Sequence, residues 1–144
     1  MNGINQISIF LENRAGSLSE ITQLLANSGI NLRAISISES ADYGVLRIIA
    51  DDTEKAKNIL LEHGCVMSMT PVAVISLPDK PASLSKVLLL LAEKNIDIEY
   101  MYSLFTHQDG LAYIVFRLKE EGAFREVVAN HNLTIATRED LGIK

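Results

Sequence analysis

Glu12-Asn13-Arg14-Ala15-Gly16-Ser17-Leu18-Ser19-Glu20 is a strand-to-helix junction that comes back in the second half of the chain. Before it, Ile7, Ile9 and Leu11 alternate as in a half-buried strand; after it, Leu18, Ile21, Leu24 and Leu25 recur at helical spacing until Gly29 stops the helix. Gly16 opens backbone angles closed to other residues and lets a partner approach the main chain. Ser17 with Glu20 three residues on reads as a capping box. The junction thus presents helix N-terminal N–H groups beside the Asn13 amide, a site for a small anion such as a carboxylate.

Shifting the sequence by 66 positions (Leu18 to Leu84, 84 minus 18) places Ser17-Leu18-Ser19 on Ser83-Leu84-Ser85 and Leu24-Leu25-Ala26 on Leu90-Leu91-Ala92. Gly29-Ile30-Asn31-Leu32 falls on Asn95-Ile96-Asp97-Ile98, and Gly44 on Gly110, without a gap. Two copies of one unit, residues 1–70 and 71–144, account for this better than one irregular domain. The first predicts strand 5–11, helix 17–28, strands 31–38 and 44–50, helix 53–63 and strand 65–70. The second predicts strand 72–77, helix 83–94, strands 97–105 and 111–118, helix 121–131 and strand 133–137. Each is βαββαβ. The fold class is therefore α+β: two ferredoxin-like units side by side, with antiparallel sheets joined or abutting and helices on one face. Pro71 at the junction leaves a very short connection. Leu32 differs in parity from Ile35 and Ile37, which predicts a bulge.

The two first helices differ in one respect. Thr22 and Gln23 of the first copy become Leu88 and Leu89, so the second helix is apolar nearly all round from Leu84 and Val87 through Leu91. Such a helix is normally buried on two sides, which predicts a homodimer or higher oligomer covering it, or else a thicker local core.

Composition removes several function classes. A formal charge of −5 and a pI near 5.1 argue against nucleic acid, whose affinity comes largely from basic side chains on phosphates. No basic leader precedes an apolar run and Leu88–Leu91 is too short to span a bilayer, so a soluble cytoplasmic protein without membrane contact is expected. The lone Cys65 excludes an internal disulfide, and His63-x-Cys65 falls short of the three or four ligands zinc requires; His63, His107 and His131 do not cluster in sequence. Neither a metal nor a cofactor is expected. No grouping of Ser, His and Asp, no Walker motif and no dinucleotide glycine fingerprint is present, so no catalytic residue is expected and the chemistry is reversible binding.

Ile9-Phe10-Leu11-Glu12-Asn13-Arg14-Ala15-Gly16-Ser17-Leu18, followed by Gly29-Ile30-Asn31-Leu32, resembles the signature of ACT domains, and the chain resembles a stand-alone tandem ACT protein. The resemblance implies ferredoxin-like modules that pair edge to edge, bind a free amino acid at the seam and regulate an enzyme or regulator of amino-acid metabolism. It implies a ligand held by Leu11, Asn13, Arg14, Ala15, Gly16 and Ser17 of one unit and by the start of the second strand, Asn31 or Asp97, of a neighbour. Leu11 stands where some amino-acid-binding members have a polar residue. In the second copy Asp79-Lys80-Pro81-Ala82 replaces Asn13-Arg14-Ala15-Gly16. The favoured site combines the Asn13–Ser17 turn with Asp97, whose carboxylate suits the ligand ammonium; Asp79 would repel a carboxylate at the other, and Ala82 would crowd the backbone.

Two other readings compete. One is an ACT-fold adaptor between proteins with no ligand. The other is an RNA-recognition motif, whose aromatic strand motifs are met by Ile9–Asn13 and Gly110–Phe116 only in different copies, with Asp109 where a basic residue belongs. Tyr100 and Tyr102 share a strand face, placed either to stack on a ring-bearing ligand or to serve core packing or a subunit contact. With Leu11 they point toward a neutral or ring-bearing amino acid.

Overall fold

The structure, a computed structural model, describes residues 3–39, 42–105 and 108–144. His107 lies outside the described residues. The chain forms two compact units. Asn5–Pro71 with Arg138–Lys144 make up the first; Val72–Thr137 make up the second, together with Gly3 and Ile4.

The first unit carries β1 (Ile4–Glu12), α1 (Ser17–Asn27), β2 (Leu32–Glu39), β3 (Tyr43–Ala50), α2 (Thr53–Glu62) and the beginning of β4 (Met67–Pro78). Its strand order is β4-β1-β3-β2, with β3 antiparallel to both β1 and β2. The second unit carries the end of β4, then α3 (Ser83–Glu93), β5 (Ile98–Ser103), β6 (Leu111–Leu118), α4 (Glu121–Asn130) and β7 (Thr134–Ile135). Its order is β7-β4-β6-β5, again antiparallel. Both units are therefore ferredoxin-like βαββαβ.

Each core lies between one sheet face and its two helices. In the first unit Ile7, Ile9, Leu46 and Ile48 pack against Leu25 of α1 and Leu60 of α2. In the second, Ile75, Leu77 and Phe116 pack against Val87 and Leu91 of α3 and Phe124 of α4. The bulge expected at Leu32 is present as a register shift between Leu32 and Ala34, and the same shift recurs between Ile98 and Tyr100. α1 closes with the Gly29 N–H donating to Ala26 and the Ile30 N–H to Leu25, Gly29 lying at φ 74°. α3 closes identically on Ala92 and Leu91 with Asn95 at φ 56°. Asn serves there because its short polar side chain tolerates the left-handed region.

Four expectations need correction. Strands 65–70 and 72–77 are one continuous β4, because an extended backbone accommodates the fixed φ of Pro71. Strand 133–137 is reduced to Thr134–Ile135, which pairs with Ile75 and Ser76. The stripe that α1 buries is Ser17, Ile21 and Leu25, at spacing four, which leaves Leu18 exposed. On α3, Leu88 is half-buried but Leu89 is 61% exposed, so within this chain the helix is not covered on both sides.

After β7 the chain ends on the first unit. Arg138–Lys144 forms a single tight turn in which the Leu141 and Ile143 N–H groups donate to Arg138, with Gly142 at φ 64°. Leu141 and Ile143 are buried, Arg33 Nη2 donates to the Gly142 carbonyl at 3.2 Å, and the Lys144 N–H to the Asp51 carbonyl at 2.8 Å. Among the described residues no helix is long and apolar enough to cross a membrane.

Candidate functional site

The β1–α1 junction is built by a chain of backbone bonds. The Asn13 N–H donates to the Asp42 carbonyl at 3.4 Å, the Arg14 N–H to Glu12 at 2.9 Å, and the Ser17 N–H to Arg14 at 3.3 Å. These bonds reverse the chain and leave Gly16 at φ 89°, ψ −12°, as the residue preceding the helix. A Cβ added at Gly16 would meet nothing within 4 Å, so its requirement is conformational and not steric.

The capping box read from Ser17 and Glu20 does not form. Helix α1 starts at Ser17 itself and no side chain caps it. Glu20 is drawn instead to Arg14, whose Nη2 lies 2.8 Å and Nη1 3.2 Å from its carboxylate, and the Arg14 Nε lies 3.3 Å from Glu12. The hydrogen bond from Arg14, reinforced by its charge, holds the Glu20 carboxyl below its ordinary range, and the same pairing strengthens the hold of Arg14 on its proton. Arg14 is therefore already neutralised by two carboxylates. A six-residue separation belongs to no helical pairing rule, which is why this bond was not legible in the sequence.

Ser17 is left in an unusual position. Its residue is 7% exposed, and Oγ is buried with no hydrogen-bond partner in the chain. It sits at the first helical position, where the free amides of the first turn gather. Leu11 is buried at the end of β1, and Asn13, Arg14, Ala15 and Gly16 are exposed around the turn.

The second unit repeats this backbone with different residues. The Asp79 N–H donates to Gly110 at 2.8 Å, Lys80 to Pro78 at 2.9 Å and Ser83 to Lys80 at 3.3 Å, and Ala82 occupies the place of Gly16 at φ 72°, ψ −6°. Losing the glycine has therefore not changed the turn; Ala82 adopts the left-handed conformation instead.

Asn31 and Asp97 start the second strand of each unit and are exposed. The Asn31 N–H donates to Asp51 Oδ1 at 3.1 Å, and the Asp51 N–H to the Asn31 carbonyl at 2.9 Å; correspondingly the Lys119 N–H donates to Asp97 at 3.3 Å. Within a unit these positions are far from its own turn. β3 pairs with Glu12 at Tyr43 and reaches Asn31 only past Ala50, a strand length of about 25 Å at 3.4 Å per residue. Asp79 and Asp97 likewise lie at opposite ends of β6. Neither unit brings its own turn and its own second-strand start together.

Tyr100 and Tyr102 stack at 6.4 Å with planes 18° apart, both half-buried on β5. His63 and Cys65 line an open groove of about 450 Å³ beside α1 with Glu20, Gln23 and Asn27. Burial pushes the Cys65 thiol up, away from the thiolate a metal needs. Among the described residues no three candidate metal ligands come together.

Among solved structures the chain is similar to protein BT0572 from Bacteroides thetaiotaomicron, at 38% identity, covering 98% of this chain and 96% of that one, with a TM-score of 0.89. It shares its fold with the ligand-free regulatory subunit of aspartate kinase from Thermus thermophilus, at 18% identity, 88% and 91% coverage and a TM-score of 0.63. The regulatory subunit of aspartate kinase from Thermus flavus is similar at 18% identity, 92% and 93% coverage and a TM-score of 0.57. A comparison with curated proteins finds no match. The ACT domain pair family matches residues 2–143, so with two βαββαβ units in tandem this chain belongs to that family.

Proposed function

We propose that this protein is a non-catalytic regulatory protein that binds a free amino acid at the Asn13–Ser17 turn and passes the binding on to an enzyme or regulator of amino-acid metabolism. The observation that carries this reading is the Ser17 hydroxyl, buried without a partner at the N-terminus of α1 beside Gly16 in the left-handed region. A buried polar group without a partner is costly, and a ligand carboxylate on the first-turn amides, toward which the Ser17 hydroxyl turns by a change of rotamer, removes that cost. Gly16, in the left-handed region, sets the turn that presents these amides. Family membership supports the regulatory role, and the fold is shared with regulatory subunits of aspartate kinase.

In this reading Asn13 and Ser17 hold the carboxylate and Asp97 is the counter-charge for the ammonium group. Asn31 and Asp79 take the equivalent places for the second turn. Regulation follows if the ligand binds one arrangement of the protein more tightly than another, since a ligand shifts an equilibrium only by its differential affinity. A second copy of the chain covering Leu89 on α3 completes the proposal, and sedimentation showing only monomer at micromolar concentration would defeat that part of it.

The test is calorimetry against the twenty amino acids, with Asn13→Ala, Ser17→Ala and Asp97→Ala as controls. Saturable binding of one or a few, weakened in the variants, is expected. Absence of binding to all twenty would overturn the ligand and leave the adaptor.

A further inference from the structure

The second unit contains a cavity of about 220 Å³ between the first residues of α4, the middle of β4 and the segment around β7. Its walls are apolar: Ile4, Val72, Val74, Phe124, Ile135 and Ala136, all but Ile135 buried. It exceeds the roughly 150 Å³ that suffices to hold a benzene ring. Two charged residues also line it, Glu121 and Arg125, joined by an ion pair of 3.3 Å across one helical turn. Their side chains are 45% and 40% exposed, which puts the charged pair on the solvent side of an apolar interior.

Such a combination selects a ligand by charge. A simple carboxylate drawn to Arg125 would meet the neighbouring carboxylate of Glu121, and a simple amine drawn to Glu121 would meet the guanidinium. A zwitterion with adjacent opposite charges satisfies both, because the exposed ion pair it divides is worth only about 0–1 kcal/mol. We propose that the Glu121–Arg125 pair and the apolar cavity behind it form a second binding site, for an apolar α-amino acid, with the ligand carboxylate on Arg125, its ammonium on Glu121 and its side chain against Phe124 and Val74. This site shares no residue with the Asn13–Ser17 turn and does not depend on it.

The test is a methyl-resolved NMR titration of the full chain with L-leucine, 4-methylpentanoate (the same skeleton without the ammonium) and 3-methylbutylamine (without the carboxylate). Saturable shifts at the methyls of Ile4, Val72, Val74 and Ile135 are expected with leucine. Each single-charge analogue should bind about tenfold or more weakly, as expected when a hydrogen bond to a charged group is lost. Arg125→Gln and Glu121→Gln, whose side chains are 40% and 45% exposed, should each weaken leucine by a similar factor, whereas Ser17→Ala should leave these shifts unchanged. No saturable shift of these methyls with leucine, or equal affinity for 4-methylpentanoate, would overturn the proposal. Shifts confined to methyls of the first unit would also overturn it while leaving the turn site standing.

Discussion

Replacing Ser17 by Ala is expected to stabilise the ligand-free protein and weaken its ligand, two effects of opposite sign from one hydroxyl. Ser17 is 7% exposed with Oγ unpartnered, so folding strips this group of water without return. Burying a hydroxyl unpaired costs about 1–3 kcal/mol, and Ala at a helical position adds roughly 0.5 kcal/mol over Ser. The variant should therefore gain about 1.5–3.5 kcal/mol, read as a higher urea midpoint at unchanged slope and a Tm raised by roughly 2–4 °C per kcal/mol. Had Ser17 formed the capping box that its spacing with Glu20 suggests, the same change would cost about 0.5–2 kcal/mol. The sign alone separates the cases. A destabilised Ser17→Ala would show that the hydroxyl has a partner, and would remove the main support for a carboxylate at this turn.

Other perturbations probe the turns and the C-terminal strap. Ala82→Gly should stabilise the second unit by about 0.5–1 kcal/mol, because Ala at φ 72° pays a left-handed penalty that exceeds the entropy cost of Gly, and Gly16→Ala should cost about 1 kcal/mol in the first; chemical denaturation checks both. The Glu20 carboxyl, held below its ordinary range by Arg14, contributes stability that is present above its unfolded value and is lost as pH falls through the lowered folded value; carbon-detected titration should show it return to the ordinary range in Arg14→Gln. Leu141→Ala should cost about 2–4 kcal/mol and shift the amide resonances of Asp51 and Asn31, since Leu141 is 1% exposed and its segment bonds to the Asp51 carbonyl.

The sequence carried the repeat, the order of elements and both junctions, because apolar periodicity and helix stops are local signals. It also carried the bulge at Leu32, since a change of parity in one strand has only a few physical causes. What it missed is non-local or conformational. The Arg14–Glu20 pair joins residues on either side of a chain reversal, and an acidic residue three positions after a serine reads as a capping box until that reversal is known. The continuity of β4 through Pro71 was hidden because proline signals a break where the backbone is merely extended. The tail is a single turn whose meaning lies in Asp51 and Arg33, more than 80 residues away.

The two turns should select different ligands. Their backbones match, and a Cβ at the glycine position meets no atom, so Ala82 does not close the second turn as the loss of glycine suggested. What separates them is charge. Around the first turn Glu12 and Glu20 neutralise Arg14. In the second turn the 66-residue shift puts Pro78, Lys80 and Lys86 at those positions (12, 14 and 20 plus 66), and among the described residues neither lysine forms an ion pair. Two like-charged lysines near one helix start attract anions, while Asp79 opposes them at the position of Asn13. The first turn should thus prefer a neutral amino acid with little dependence on salt. The second should prefer a ligand with an additional negative charge and weaken as salt screens the lysines. Titrating glutamate and glutamine at low and high salt against Lys80→Gln and Lys86→Gln decides it. Equal, salt-independent response of the second-turn amides to both ligands would show that Asp79 cancels the lysines.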